Sequence, residues 1–324
     1  MSAISLPGSA RVVIRQHRRA FWGVCVLALV GITALVGVVL WPDPAVDAFA
    51  NSGCSVENTV RGCGDIVRDF LDSEHRSSQA VGYATGAMVV LPAFIGLFVA
   101  GPMIGRELES GTYKLAWTQS VSPARWLATK LAVPAVLTLA GVAVLSAVCA
   151  WGRSQTGQTS YPLDAHDRAA YGSIGTVPVG YALCMLALGA LAGLVLRHTV
   201  AAMVTTVIGY GVLTVTLNAV RNHLWPTVNS TYVPGAERVL PDGATAVSWG
   251  WLTADSERLP DDACRSWGAD VKRCLADKGI TRGYVDYRLD SHFWPLQLVE
   301  TGILLALAAL AVLLAFRVLR RRHG

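Results

Sequence analysis

Long apolar runs alternate with short polar connections along most of this 324-residue chain. A run of about 20 apolar residues can cross the hydrocarbon core of a bilayer as a helix. The pattern therefore predicts an all-α, polytopic membrane protein with six transmembrane helices. The predicted spans are Trp22–Trp41, Tyr83–Ile104, Leu131–Trp151, Gly175–Leu196, Thr199–Val220 and Leu296–Phe316.

The fourth and fifth spans form nearly one continuous run, Gly175–Val220. As a single helix this run would extend roughly 70 Å, more than twice the ~30 Å hydrocarbon core. It must therefore fold back, and Arg197-His198 is the polar break at which it can do so. The pattern predicts a tight hairpin at these two residues.

The first apolar run has two interpretations. Ala48-Phe49-Ala50 has the small-x-small form of a signal-peptide cleavage site. The run itself is about 20 residues long, whereas the apolar part of a signal peptide has roughly 7–15. Cleavage would also leave an odd number of spans, so we favour an uncleaved first helix.

The composition agrees with a membrane protein. Hydrophobic residues make up 53% of the chain and charged residues only 15%, whereas a soluble domain has about 25% charged residues. The surplus apolar surface is expected to face a lipid bilayer. The net charge of +5 suggests a nucleic-acid partner, but no polar face interleaves basic and aromatic residues. We expect no nucleic-acid binding.

The distribution of lysine and arginine predicts the orientation. With both termini in the cytoplasm, the cytoplasmic segments hold 13 basic and two acidic residues, and the outer loops hold 14 basic and 19 acidic residues. This is the positive-inside pattern expected of a multi-pass protein of the plasma membrane. The predicted layout is a basic N-terminal segment (1–21), helices one to five (22–220, with an outer loop at 42–80 and a cytoplasmic segment at 105–130), an outer loop (221–295), the sixth helix (296–316) and a basic tail (317–324).

Four of the seven cysteines, Cys54, Cys63, Cys264 and Cys274, lie in the loops that the charges place outside. Disulfides persist in oxidising compartments, so an even number on that side supports the orientation. Local pairing, Cys54 with Cys63 and Cys264 with Cys274, closes the shorter loops and is favoured. Pairing across the two loops stays open. We expect a small disulfide-pinned insertion between helices five and six, helical from about Asp261 to Asp277.

Ionisable residues are sparse inside the predicted spans. Glu300 is the one such residue, near the outer end of the last span. No residue at mid-depth is therefore available to carry a coupling ion. The sequence also lacks zinc-protease, nucleophile-elbow and phosphate-loop motifs. We expect no catalytic, metal or cofactor site on this chain, and any ATP to be bound by a partner subunit.

Small residues and prolines mark special positions in the spans. Gly82-x-x-x-Gly86 and Gly189-x-x-x-Gly193 predict close helix packing, either within the chain or at a dimer seam. Pro92 and Pro134 predict kinks in the second and third spans.

Residues 105–130, called the interhelical segment below, are the polar stretch between the second and third spans. Arg106–Glu109 favour a helix, and Ser110-Gly111 predicts its end because glycine accepts the left-handed C-cap conformation. Ser122-Pro123 predicts a new helix, with serine as N-cap and proline as first residue.

Between those two signals, apolar and polar residues alternate, with large anchors at Tyr113, Leu115 and Trp117. The chain is therefore expected to leave the second span, run along the membrane surface and turn into the third. A soluble partner pressing on this segment would move two spanning helices.

The interhelical segment resembles the corresponding region of type-2 ATP-binding-cassette (ABC) transporter permeases. The similarity lies in Glu107-x-Glu109-x-Gly111-Thr112, Leu115-x-x-Thr118, Val121-Ser122-x-x-Arg125 and Lys130. Arg15-Gln16-His17-Arg18 and Phe293-Trp294-Pro295-Leu296-Gln297 are similar to an actinobacterial branch of that family. The long last outer loop departs from simpler members, which have a short re-entrant hairpin there.

The resemblance implies a permease subunit of an ATP-driven exporter that works as a dimer with a separate ATPase subunit. The implied coupling residues are Arg106, Glu107, Glu109, Gly111, Thr112 and Arg125. In this interpretation the two glutamates are acidic contacts to the ATPase, while Gly111 and Thr112 form the turn. Arg125 and Lys130 are basic contacts or anchors at the lipid phosphates. The alternative is that the glutamates only solvate a helix end.

Two other classes of function remain. A non-transporting sensor or resistance subunit would bind a peptide or lipid-linked ligand through the outer loops 42–80 and 221–295. A membrane-embedded enzyme is the least favoured class, because no catalytic constellation is present in the sequence.

Overall fold

The computed structural model describes residues 18–41, 43–56, 62–118, 122–156, 167–236, 238–241, 243–264 and 269–323. Arg15, Gln16 and His17 of the first family-like motif, and Val121 of the second, lie outside these ranges. Most of the described residues are helical.

The elements follow one another as α1 (Arg18–Leu40), α2 (Pro44–Ser52), α3 (Gly64–Phe94), a π-helical segment (Ile95–Ala100), α4 (Gly101–Ser110), α5 (Tyr113–Thr118), α6 (Pro123–Thr156), α7 (Arg168–Ser173), α8 (Val177–Leu196), α9 (Thr199–Val220), β1 (Val228–Tyr232), β2 (Thr245–Thr253), β3 (Arg258–Pro260), α10 (Ala269–Asp277), β4 (Ile280–Arg288) and α11 (Phe293–His323). In the described ranges, six helical stretches are long and apolar enough to cross a membrane. The prediction of six spans is confirmed.

The chain divides into two compact units. The helical unit comprises residues 1–163, 167–215 and 300–324, and the sheet unit comprises residues 164–166 and 216–299.

Helix α8 is the most buried of the apolar helices of the helical unit. Its Gly189 packs on the π-helical segment so closely that a Cβ there would lie 2.9 Å from the Cβ of Ala100. Small residues allow such backbone contact where lipid provides no hydrophobic drive between helices. The predicted close packing is confirmed within the chain for this glycine pair. At Gly82 and Gly86, by contrast, a Cβ would meet nothing within 4 Å.

The two prolines inside spanning helices differ in the helix geometry that follows them. Helix α3 contains Pro92 and gives way at Ile95 to the π-helical segment. Proline removes a backbone donor, and π-helical turns are rare and often lie at functional positions. Helix α6 instead continues through Pro134 as one element.

The predicted hairpin between the fourth and fifth spans is confirmed. Helix α8 ends at Leu196, Arg197 adopts the left-handed conformation with φ 52°, and α9 begins at Thr199. At this end of α8, the Arg322 guanidinium of α11 donates a hydrogen bond to the backbone oxygen of Leu194, 2.9 Å away.

Glu300 joins α11 to α8 in the helical unit. Its side chain is fully buried, and its Oε1 accepts a hydrogen bond from the Tyr181 hydroxyl at 3.3 Å. The hydroxyl of Thr176, the residue before α8, lies 2.8 Å from the hydroxyl of Thr301 in α11. A buried carboxylate is tolerated when polar groups surround it, and these contacts provide such groups.

The sheet unit corrects the all-α prediction. It contains a four-stranded antiparallel sheet in the order β1-β4-β2-β3. The strands Thr245–Thr253 and Ile280–Arg288 are rich in β-branched and aromatic residues, which favour strands. In the pairing of the outer strand β1 with β4, Val228 lies opposite Tyr287. The first and last strands of the sheet are therefore neighbours.

One carboxylate ties all four strands together. Asp286 of β4 accepts hydrogen bonds from Asn229 of β1 at 2.7 Å, Ser248 of β2 at 2.9 Å and Arg258 of β3 at 2.8 Å. The Arg258 guanidinium also lies over the ring of Tyr284, 4.5 Å from its centroid.

The local disulfide pairing is confirmed. Cys54 is bonded to Cys63, and Cys264 is bonded to Cys274. The predicted helix over residues 261–277 is found in part: a 3-10 turn covers Asp261–Cys264, α10 covers Ala269–Asp277, and residues 265–268 lie outside the described ranges.

Candidate functional site

The interhelical segment folds as a helix end, a short helix and a helix start. Helix α4 ends at Ser110, and Gly111 caps it in the left-handed conformation with φ 73°. The hydroxyls of Ser110 and Thr112 lie 3.0 Å apart across this turn. Helix α6 begins at Pro123, where the Ser122 hydroxyl accepts a hydrogen bond from the backbone nitrogen of Arg125 at 3.3 Å. Both predicted signals are confirmed. They could be predicted from the sequence because capping depends on adjacent residues.

Between these signals the chain forms α5 rather than an extended stretch, so Tyr113 and Trp117 lie one helical turn apart on the same face. Their rings are 4.7 Å apart, and the Trp117 ring is 6.2 Å from that of Trp126. The predicted anchor Leu115 has a side chain outside the described ones.

These aromatic residues rest on a buried apolar cluster of the helical unit. Its members come from α4, α6, α8 and α11, and Tyr113 and Trp117 pack against it; the buried members are Met103, Ile104, Leu108, Trp126, Leu127, Leu131, Ala190, Leu194, Ala315 and Leu319. Helix α5 therefore packs on the folded core at this end of the helices. A displacement of α5 would act on several helices through direct packing.

Glu107 has partners within the segment. Its Oε1 forms an ion pair with the Lys130 ammonium, and its Oε2 accepts a hydrogen bond from the Trp126 indole nitrogen at 3.2 Å. The Lys130 side chain is only 7% exposed, so the expectation of an exposed lysine that contacts a partner or lipid phosphates is wrong. Glu107 thus joins the end of α4 to the start of α6.

Glu109 reaches a helix outside the segment. Its Oε2 accepts hydrogen bonds from the backbone nitrogen of Thr199 at 2.9 Å and from the Thr199 hydroxyl at 2.7 Å. Its Oε1 lies 3.7 Å from the imidazole Nε2 of His198. The first N–H groups of a helix have no partner within that helix, and a carboxylate there also interacts well with the helix dipole. Glu109 supplies such a partner to α9.

The exposed residues of the interhelical segment are of mixed character, and Glu109 and Ser110 are among them. Arg106, Lys114 and Arg125 are exposed, as is Thr112. In the part of the chain that the structure describes, neither acidic residue of the segment pairs with these three cations.

The structure thus places the predicted coupling residues in two groups. Gly111 and Thr112 form the turn, and Arg106 and Arg125 point outward, whereas both glutamates are engaged inside the chain. Trp126, Thr199 and His198 were not predicted as partners of these glutamates. The signal for Thr199 was its place as the first residue after the predicted hairpin, where a helix N-terminus needs a cap.

These elements, six apolar helices joined by a structured polar segment, have a counterpart in a known family. The family model described as "ABC-2 membrane transporter related" matches residues 18–221. The chain belongs to this family. Its ABC-2 match covers α1 to α9 and ends before the sheet. No curated protein and no solved structure matches the chain.

Membership makes the chain a multi-pass membrane protein of an ABC-2 transporter. In this family such a chain is normally the membrane subunit, without catalytic activity of its own. The assignment to an actinobacterial branch stays a prediction.

Proposed function

We propose that this chain is the permease subunit of an ATP-driven exporter and that the interhelical segment couples it to a separate ATPase subunit. The observation that carries the proposal is the packing of the described part of the segment: a glycine turn ends α4, a serine cap starts α6, and Tyr113 and Trp117 pack against the buried cluster. A segment fixed in this way passes a force to the helices instead of absorbing it.

In this proposal ATP is bound and hydrolysed by the ATPase subunit, and the permease needs no cofactor. Outward Arg106, Thr112 and Arg125 face the ATPase, and Gly111 sets the direction of the turn. Glu107 and Glu109 act inside the permease in this proposal, because both carboxylates already have partners there: Glu107 binds Trp126 and Glu109 binds Thr199.

The proposed orientation has both termini and the interhelical segment in the cytoplasm. The positive-inside distribution of lysine and arginine supports it. Two permease copies would enclose the transport path in the plasma membrane, and ATP binding would switch them between inward-facing and outward-facing states.

Labelling of intact cells tests the orientation. Thr112→Cys is placed on the exposed turn, and Val239→Cys, on a residue that is 80% exposed in the sheet unit, is the matched control. A membrane-impermeant thiol reagent should label Val239→Cys in intact cells and Thr112→Cys only after permeabilisation. Labelling of Thr112→Cys in intact cells would overturn the proposal.

Co-purification tests the coupling. The tagged permease, extracted in mild detergent, should bring down an ATPase subunit. Reversing the charges in Arg106→Glu with Arg125→Glu should weaken the association at least about tenfold, which corresponds to about 1.4 kcal/mol. Recovery of no ATPase with the wild-type chain would contradict the proposed function.

Two observations favour a second candidate, a non-transporting sensor. The sheet lies beyond the family match, and the Arg238 guanidinium lies over the rings of Tyr232 and Trp249, 5.6 and 5.2 Å from their centroids. Such a surface suits a ligand-binding module. ATP-dependent flux into vesicles reconstituted with both subunits would support the exporter, and its absence together with a ligand response would support the sensor.

A further inference from the structure

Three helices of the helical unit touch through their backbones beside the interhelical segment. A Cβ on Gly193 of α8 would lie 3.1 Å from the backbone nitrogen of Gly105 in α4. A Cβ on Gly105 would in turn lie 3.2 Å from the Cα of Thr199 in α9. No long side chain separates these backbones, so α4, α8 and α9 have little freedom to slide past one another.

Glu109 closes this contact at the end of α4. Its two hydrogen bonds to Thr199 attach the last turn of α4 to the first residue of α9. Glu107, by comparison, binds Trp126 and Lys130, which belong to the segment itself. Of these two carboxylates, Glu109 is therefore the one that fastens the segment to a spanning helix other than those it connects directly.

We infer that Glu109 is a positioning residue that transmits displacement of the interhelical segment to α9. This inference rests on the proposed function and deepens it. When the ATPase pushes the segment, α4 carries Glu109 with it, and the carboxylate pulls the start of α9 through Thr199. The α8–α9 hairpin then moves together with α4, so three helices respond in addition to α6.

This role differs from a direct contact between Glu109 and the ATPase. A direct contact would be lost in a Glu109 variant but would not depend on Thr199. A transmitting contact depends on both partners, and it leaves docking of the ATPase intact. One variant at Glu109 and one at Thr199 therefore distinguish the two roles.

The experiment measures docking and movement in the same complex. Permease and ATPase are reconstituted in nanodiscs, and the dissociation constant of the ATPase is measured first. Spin labels at Val136→Cys on α6 and Val212→Cys on α9, both outward residues of the helical unit, then report the distance between these helices. The background has Cys25, Cys149 and Cys184 replaced by alanine, and distances are compared with and without ATP and vanadate.

In the wild-type chain, ATP with vanadate should shift the α6–α9 distance. Glu109→Ala should bind the ATPase within about twofold of wild type but lose at least half of this shift. Thr199→Val, which removes the hydroxyl and keeps the backbone N–H, should give a smaller loss. Thr199→Ser keeps both donors, so it is the matched control and should behave as wild type.

Several results would overturn the inference. A full distance shift in Glu109→Ala would show that the contact does not transmit movement. Loss of ATPase docking in Glu109→Ala, with a normal shift in Thr199→Val, would make Glu109 a direct contact and leave the proposed function standing. If the wild-type chain docks no ATPase, the proposed function fails and this inference fails with it. If Glu109→Ala does not fold, the comparison of Thr199→Val with Thr199→Ser decides.

Discussion

Glu107 and Lys130 form an ion pair between the end of α4 and the early turns of α6. Both side chains are largely buried, at 20% and 7% exposure. Bringing charges out of water is unfavourable, so such a pair stabilises little in total, but loss of one partner leaves the other charge buried and unpaired. The pair therefore holds the ends of α4 and α6 together, even though its net contribution to the free energy of folding is modest.

We expect Glu107→Ala to destabilise the protein by about 3–5 kcal/mol, because it leaves the Lys130 ammonium without its carboxylate. The double variant Glu107→Leu with Lys130→Met should recover most of this loss. Thermal unfolding in detergent measures both. Equal destabilisation by the single and double variants would contradict a coupled pair.

Asp286 makes the stability of the sheet depend on pH. Desolvation by burial raises the pKa of this carboxyl, but hydrogen bonds from Asn229, Arg258 and Ser248 and the nearby guanidinium charge outweigh it, and the net pKa is lowered. A carboxyl with a lowered pKa in the folded state stabilises that state fully above its unfolded pKa of about 3.9. This stabilisation is lost as the pH falls through the lowered value.

Wild-type protein should therefore lose sheet stability below about pH 4, and Asp286→Asn should be less stable at neutral pH and less sensitive to acid over this range. The fluorescence of Trp249 and Trp251 during acid unfolding reports the difference. Parallel acid transitions in the two proteins would argue against the assigned role of Asp286.

At the scale of elements, the sequence predicted the turns and helix caps that adjacent residues determine. The turn at Gly111, the cap at Ser122 and the hairpin at Arg197 all depend on neighbours within a few positions. The contact between Glu109 and Thr199 joins residues 90 positions apart, and no local pattern reports it. The strands of the sheet do carry a local signal in their β-branched and aromatic residues, but the hydrogen bond between Asp286 and Asn229 forms only when distant strands pair.

The glycine pairs give a matched prediction for helix packing. Gly189→Val with Gly193→Val should destabilise the helical unit by about 1–3 kcal/mol or more, because added methyl groups meet neighbouring backbone. Gly82→Val with Gly86→Val changes the same motif where the surroundings are open, and it should leave monomer stability unchanged.

Thermal unfolding and size-exclusion chromatography in detergent compare the two glycine pairs. Equal destabilisation would show that the α8 contacts do not limit packing. Loss of a dimer in the Gly82 and Gly86 variant, with normal monomer stability, would identify that face as the seam between two copies.

At the scale of the whole molecule, the family match and the two compact units differ in extent. The match covers residues 18–221, whereas the sheet unit extends over residues 216–299. The sequence predicted an insertion here from length and cysteine placement, and the disulfide Cys264–Cys274 was correctly paired.

Replacement of residues 228–287 by a short glycine-serine linker should leave the helical unit inserted and able to recover the ATPase. The reason is that Val228 and Tyr287 are paired neighbours in the sheet, so a short linker spans the same gap. Membrane fractionation and co-purification measure the outcome. Loss of insertion or of ATPase recovery would show that the sheet supports the helices, and retained flux would exclude an obligatory sensor.

The pairing of β1 with β4 also bears on how such proteins diversify. The chain enters and leaves the sheet at adjacent points, so a long connection bridges no more distance than a short one. Insertions, deletions or exchanges in the sheet then need no compensating changes in the transmembrane helices. Selection can therefore act on the sheet while the transmembrane helices are inherited unchanged.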